Sequence, residues 1–533
     1  MSFAAFRRLA LAALVTFGAV AVSPLAALET FTLPTPAAGA GLYLPDVQAS
    51  YPDVDWQTLD RLYLPAAHYK FLRLGGLPQR SPQRPLVITN LGGQVRVGGL
   101  GHYYNFVISG GSNWRLTGRD DAEAATGDAA FPGHDGGYAN SRGSYGILID
   151  DAFESEGESG LGIGGGATAF TVEFVEVRHV GFAGFLIKTD DEGNAHMDDV
   201  VLRDNYIHDV GSEGIYLGST QSQPQHAFRR LHVVNNRVLR TGTEALQVGQ
   251  LADGSVIENN VFLMGATDWK HPFQPFQDNA AQQSNRSGDV ALRRNLVIGG
   301  ASKFFIFFGF DVAGDAHSAA DTYAIERNYF SHSRSFGVYV HAAADGVTTF
   351  RFADNVFREI DFTYDELDAG ATNYDTVLRV ANVANPIEVI DNRWHGPSRL
   401  VQAFGSNVVE SGNVEEQTPA VRFVDSGFPD DFDVRRFETW TDVDIDGDPV
   451  AYEIGDWVRH GVDFYRALAA HTNRLPPDHP GTWEPMPPPT DDVRLAMSSP
   501  HQGLGLLDNP ANAALFAEGF ESGDLQGWDA AVP

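Results

Sequence analysis

Two glutamates in matching phrases are the residues of this sequence best suited to chemistry. Glu213 lies in HDVGSEGIYLG and Glu244 in RTGTEALQVG. With Gly211 aligned on Gly242 and Gly218 on Gly249, the two carboxylates fall at the same point of successive phrases. If the phrases stack as neighbouring strands, the two backbones sit roughly 4.8 Å apart. Carboxylates that close cannot both ionise cheaply, so one pKa rises, and that is what a general acid needs. Such pairs cut glycosidic bonds, about 5–5.5 Å apart in retaining enzymes and about 6.5–9.5 Å apart in inverting ones. One phrase later, QDNAAQQ brings Asp278 or Asn279 towards the same column. One phrase earlier, Lys188 ends the strand GFLIK, with Asp190, Asp191, Glu192 and His196 behind it. Lys188 or His196 could instead act as the base of an elimination, and the acidic run of Asp190, Asp191 and Glu192 could hold Ca²⁺.

Sugar contacts are expected beside the acids. Tyr216 should alternate outward between Ile215 and Leu217, with Gln247 above it, and Trp269 lies in a long loop with Phe273 and Phe276. Rings offer a face to the CH groups of a sugar. The competing structural reading is also concrete. By strict alternation Glu213 and Glu244 would share the apolar face of Ile215 and Leu217 unless the glycine-bounded turn resets the parity. Stacked turn carboxylates could also simply accept backbone N–H bonds or bind Ca²⁺.

What must hold these residues is a repeat. A β-branched or aromatic strand, an Asn, a second short strand and a glycine turn recur around Asn205, Asn236, Asn260, Asn295, Asn328, Asn355 and Asn392. The spacing runs from 24 residues (Asn236 to Asn260) to 37 (Asn355 to Asn392), and no helical apolar period intervenes. Strands this short bury their faces only by stacking coil on coil, which makes a solenoid. The Asn column then reads as an internal ladder at a tight bend, where Asn also tolerates a left-handed backbone. Extra residues gather in loops at Thr189–Asp199, Ser219–Arg230, Ala266–Gln277, Asp311–Asp321 and Asp361–Thr376. In repeat folds such insertions collect on one face, often the binding face.

From about residue 60 to 415 the chain resembles the pectate-lyase-like superfamily of single-stranded right-handed parallel β-helices, through the repeat and the phrases GFAGFLIKTD, HDVGSEGIYLGST and RTGTEALQVG. That resemblance implies an all-β solenoid of the secreted, polysaccharide-degrading type. The superfamily holds lyases, hydrolases, epimerases and non-enzymatic adhesins, so it implies a fold rather than a reaction. Some endo-acting fucan hydrolases are β-helical, which brings sulfated fucans among the substrates to consider.

The ends carry separate signals. Arg7 and Arg8 precede an apolar run from Leu9 to Val22, with small residues at Ala26 and Ala27, the pattern of an export signal over residues 1–27. The β-helix is expected over 28–440. Residues 441–490 resemble small chitin- or cellulose-binding modules through Tyr452, Gly455, Asp456, Val458, Gly461, Tyr465, Ala467 and Trp483. That resemblance makes Trp457, Tyr465 and Trp483 stacking candidates, although Leu468 and Ala469 stand where the modules usually carry paired tryptophans. A closing segment is expected over 491–510 and a tail over 511–533.

Composition narrows the partners. The chain has 69 acidic and 37 basic residues, a formal charge of −32, and no cysteine. Nucleic acid is excluded as a partner, because lysine and arginine surplus supplies that affinity. Disulfides and thiolate metal sites are excluded outright. The expectation is a secreted bacterial monomer, not inserted in a membrane, that cuts an extended polysaccharide. Its chemistry would be that of an endo-acting hydrolase using Glu213 and Glu244, with Asp278 as substitute partner. A β-eliminating lyase acting on a uronate polymer is the nearest alternative, and a glycan-binding adhesin is the alternative of another class. No cofactor is required for the first of these; Ca²⁺ would suit the second.

Overall fold

The computed structural model describes residues 28–101, 104–118, 145–154, 157–189, 197–220, 226–271, 277–300, 303–309, 317–341, 345–360, 375–381, 383–405, 407–417 and 433–489, together with 493, 495, 499 and 501. The expected export signal, the tail, His196 and the acidic run Asp190, Asp191 and Glu192 lie outside them, as do Phe273 and Phe276.

Three long parallel sheets of 13, 12 and 12 strands form a right-handed β-helix. After the first strand, Thr30–Thr32, which pairs with the strand two places on, successive strands visit the sheets in rotation and each pairs with the strand three places on. One coil runs Val201–Arg203 in the first sheet, Tyr206–Val210 in the second and Ile215–Leu217 in the third. The next repeats it with His232–Val234, Arg237–Thr241 and Leu246–Leu251. Inward residues of all three sheets merge into one core, from Leu62 and Leu64 near one end to Val389 near the other. A short helix, Leu44–Ser50, packs Leu44 and Val47 onto the first coils.

The asparagine column is a ladder of side-chain amides. Nδ2 of each donates to Oδ1 of the next: Asn205 to Asn236 at 3.0 Å, Asn236 to Asn260 at 3.1 Å, and Asn260 to Asn295 at 3.0 Å. The ladder continues through Asn328, Asn355 and Asn392 and ends one coil later than the repeat suggested, on Asn413. The left-handed backbone sits not on the Asn but on the residue before it. Asp204, Asn235, Asn259, Arg294, Arg327, Asp354 and Asp391 all have φ between 53° and 60°. The Asn itself is thereby free to turn its amide along the axis. Asn260→Ala would remove the bonds its amide makes with Asn236 Nδ2, the Asn236 backbone N–H, Asn295 Oδ1 and the Val233 carbonyl. We expect a loss of about 3 kcal/mol, read by urea denaturation.

This bend, between the first and second sheets, has two residues in every coil from Arg203 onward. The long connections therefore go to the other two bends, not to a single edge. Residues 189–199, 219–230 and 311–321 run from the third sheet to the first; 266–277 and 361–376 run from the second to the third. Both of those bends border the third sheet.

The C-terminal module is a four-stranded sheet of Phe437–Thr439, Trp457–His460, Asp463–Ala467 and Trp483–Met486, with a small pair at Ala451–Tyr452 and His471–Thr472. It packs on the outer face of the second sheet. Val434, Phe437, Trp457 and Phe464 join Val493 and Leu495 of the following segment against Leu239, Val261, Leu263, Leu296 and Tyr329. Beside this apolar seam lies a buried charge network. Asp209 accepts from Arg240 Nε and Nη2, both at 2.7 Å, and from His208 Nδ1 at 2.7 Å. Against burial, which would raise it, Arg240 and then His208 hold the Asp209 carboxyl well below the usual range. Phe464 of the module lies 5.5 Å from the Arg240 guanidinium.

Docking corrects the expected sugar platform of the module. Trp457 and Trp483 are buried, the first in the seam with the β-helix and the second in the module core with Tyr452, where its Nε1 donates to the Arg474 carbonyl at 2.7 Å. Tyr465 is only 8% exposed. Rings so enclosed cannot offer a face to a glycan. The large apolar side chains exposed on the described module are aliphatic: Ile445, Ile454, Val462 and Leu468.

Candidate active site

The turn from the second sheet into the third carries the paired acids. Gly214 N donates to Glu244 O at 2.9 Å, and Gly184 N donates to Glu213 O at 2.9 Å, so the acids occupy neighbouring coils of one column. The pairing of Ile215 with Leu246, and of Leu246 with Ala281, continues that column to Asn279 and then to Lys303. Asp278 stands one place before it.

The parity is reset at this turn. Ala245 and Leu246 both belong to the interior cluster, as do Ala280 with Ala281 and Phe304 with Phe305. Two consecutive inward residues break the in-out alternation, and the preceding Glu244, Asn279 and Lys303 are released from the apolar interior. A Cβ on Gly214 would meet Val238 Cγ1 at 2.1 Å, so this position too faces inward and leaves no room for a side chain.

The acids are buried nonetheless, Glu213 at 2% and Glu244 at 0% exposure. Glu213 accepts from Ser212 Oγ at 2.7 Å, and that hydroxyl lies 3.3 Å from Thr243 Oγ1 on the next coil. Glu244 Oε1 accepts from Asn279 Nδ2 at 3.1 Å, while its Oε2 has no hydrogen-bond partner in the protein. Burial pushes the Glu244 carboxyl well above the usual range, and the neighbouring charge of Glu213 pushes the same way. Burial also raises Glu213, but the Ser212 hydroxyl, its own backbone N–H and the Lys188 ammonium pull it back. The two environments thus separate the pair, with Glu244 the more firmly protonated partner.

Two lysines lie near the acids. Lys188, one coil before Glu213, sits 5.8 Å over the Tyr216 ring on the outer face of the third sheet. Lys303 reaches Asp278 Oδ1 at 3.2 Å and Oδ2 at 3.5 Å, both side chains being buried. Asp278 is therefore an ion-pair partner of Lys303 and not a free carboxylate beside Glu213. Sequence reasoning missed Lys303 because KFFIFFG reads as core; its place opposite Asn279 would have revealed it.

Tyr216 is half-buried and pairs with Gln247, as alternation requires. Gln247 Nε2 donates to Thr220 Oγ1 at 2.7 Å, leaving Oε1 without a hydrogen-bond partner. The outward row continues over Gln282, Ile306, Tyr339 and Arg379, one residue per coil. Trp269 is not part of it. That indole is 3% exposed and lies under the Arg334 guanidinium, 3.5 Å away. Among the described residues no group of three or more acidic or histidine side chains is arranged to hold a metal ion.

No family model matches the sequence, and no curated protein matches it. Among solved structures the chain is similar to an alginate lyase from Paenibacillus sp. str. FPU-7, at 14% identity and a TM-score of 0.38, over 72% of this chain and 99% of that one. It is similar to the A-module of a mannuronan C-5 epimerase from Azotobacter vinelandii, at 15% identity and 0.38, over 70% and 97%. A lacto-N-biosidase from Eubacterium ramulus follows at 9% identity and 0.38, over 67% of this chain and 62% of that one. The fold class rests on the three ladders themselves, and these likenesses assign no reaction.

Proposed function

We propose that the chain is a carbohydrate-active enzyme that hydrolyses a glycosidic bond within an extended polysaccharide. The observation that carries this reading is the stacking of Glu213 and Glu244 on adjacent coils in unequal environments. Glu244, held protonated, is the general acid to the leaving oxygen. Glu213, the first of the two to ionise, is the carboxylate that attacks the sugar or activates a water. The polymer lies on the outer face of the third sheet, between the two loop-bearing bends. Tyr216 and Gln247 would contact the sugars nearest the acids.

Electrostatics favours hydrolysis over elimination. Abstracting a proton beside a uronate carboxylate needs cations to neutralise that carboxylate. Here Lys303 is already bound to Asp278, so that cation is engaged with an acid of the protein. The charge of Lys188 likewise acts on Glu213.

The test is a panel of neutral, uronate and sulfated polysaccharides assayed in parallel for new reducing ends and for unsaturated sugars. Hydrolysis predicts reducing ends alone. Unsaturated products abolished by Lys188→Ala would establish the lyase instead, and binding with neither product would leave the adhesin.

A further inference from the structure

Where the module meets the β-helix a cleft of about 470 Å³ remains open, within the size range of ligand sites. One wall is the connection after Val261–Leu263, bearing Trp269 and Lys270; the other belongs to the module and includes Glu438, Ala451 and Asp456. The walls are tied together, since Lys270 Nζ reaches Glu438 Oε1 at 3.0 Å and Ile445 N donates to Lys270 O at 2.9 Å. The cleft is therefore built into the docked structure.

Its charges are largely matched within the protein. Lys270 pairs with Glu438, and Arg436 pairs with Asp456 and, at 3.1 Å, with Glu453. A strongly charged ligand would have to displace one of these bonds. Buried polar atoms without a hydrogen-bond partner in the protein nevertheless remain in the walls, among them the acceptor Glu438 Oε2 and the donor Trp269 Nε1, while the Arg334 guanidinium, which also lines the cleft, lies on the Trp269 ring and donates to the Arg435 carbonyl. Burial holds the Glu438 carboxyl at about 7 in spite of Lys270, so near neutrality it can accept or donate. A ligand that suits one orphan donor, one amphoteric carboxyl and an indole edge is uncharged, compact and rich in hydroxyls.

We propose that this cleft binds a single pyranose unit, at a site separate from the Glu213–Glu244 column. The module would then take part in glycan binding through its joint with the β-helix, and not through Trp457, Tyr465 and Trp483, whose rings are enclosed.

Saturation-transfer NMR on the full chain, with glucose, galactose, mannose, fucose and N-acetylglucosamine as separate probes, tests this. At least one sugar should show saturable transfer. Ala451→Trp adds bulk at an exposed position of the cleft and leaves the buried charges in place, and it should weaken that binding at least about tenfold. Glu438→Gln should weaken it as well. Glu213→Gln should leave it intact, which separates this site from the proposed catalytic one. Absence of saturable transfer from every probe would overturn the proposal, as would binding that survives Ala451→Trp or disappears with Glu213→Gln.

Discussion

Glu213→Gln and Glu244→Gln should each lower hydrolysis by about 10²–10⁴-fold, the usual scale for one general acid or base. Both substitutions keep the side chain's size and most of its hydrogen bonds, including those from Ser212 and Asn279. The double variant should lose little more than the worse single one, because residues that act as a unit fail together. The pH profile carries the sign. Glu244 works protonated, so activity should fall as pH rises through its elevated pKa. Stability gives an independent reading. A carboxyl whose pKa is raised on folding supports the fold in its protonated form, and that support is lost as pH rises through the folded value. Wild type should therefore lose stability with rising pH relative to Glu244→Gln, as followed by urea melts at several pH values. Full activity in both Gln variants would remove the catalytic role of the pair and leave the β-helix unaffected.

Arg240→Ala should be among the most damaging single changes away from the acids. Both guanidinium bonds to Asp209 are 2.7 Å long, and the two side chains are 3% and 4% exposed. Removing the cation leaves a buried carboxylate under the module with the bond from His208 and the more distant charge of Arg459. Breaking one partner of a buried pair costs about 4 kcal/mol. Replacing both ends, with Arg240→Met and Asp209→Leu together, should recover most of that loss, since the uncompensated charge is gone. Denaturant melts of the two variants would measure the difference. A loss below about 1 kcal/mol in Arg240→Ala would mean that water reaches the seam and screens Asp209.

Much of the architecture was legible because its signals are local. Asn205 to Asn392 mark a bend of constant length, and the glycines of HDVGSEG and RTGTEAL fix the phase between coils, so the stacking of Glu213 on Glu244 could be read by alignment. What could not be read depends on contacts between distant segments. The ring spacing of Tyr452, Tyr465 and Trp483 resembles a glycan-binding module, yet nothing in it says that Trp457 meets Leu239 and Val261 across a docking seam. Trp269 looked like a loop aromatic until Arg334, from another coil, covered it. The parity reset was visible only as a condition, because Ala245 and Ala280 are small enough to suit either face. Lys303 was hidden by its own strand, where six apolar or glycine neighbours mask a single charge.

The asparagine column also gives the molecule a direction. In the side-chain links every amide from Asn205 to Asn392 donates to the next asparagine on the C-terminal side, its second N–H going to a backbone carbonyl of the preceding coil, so the links all run in one direction and their small dipoles add. Bonds in such a chain polarise one another, and an interior link is strengthened from both sides while a terminal one is strengthened from one. The rod is thus electrically unlike at its two ends even before its charged residues are considered, and its corner is held more firmly within the ladder, in the coils that carry Glu244 and Lys303, than at its first link, in the coil of Glu213.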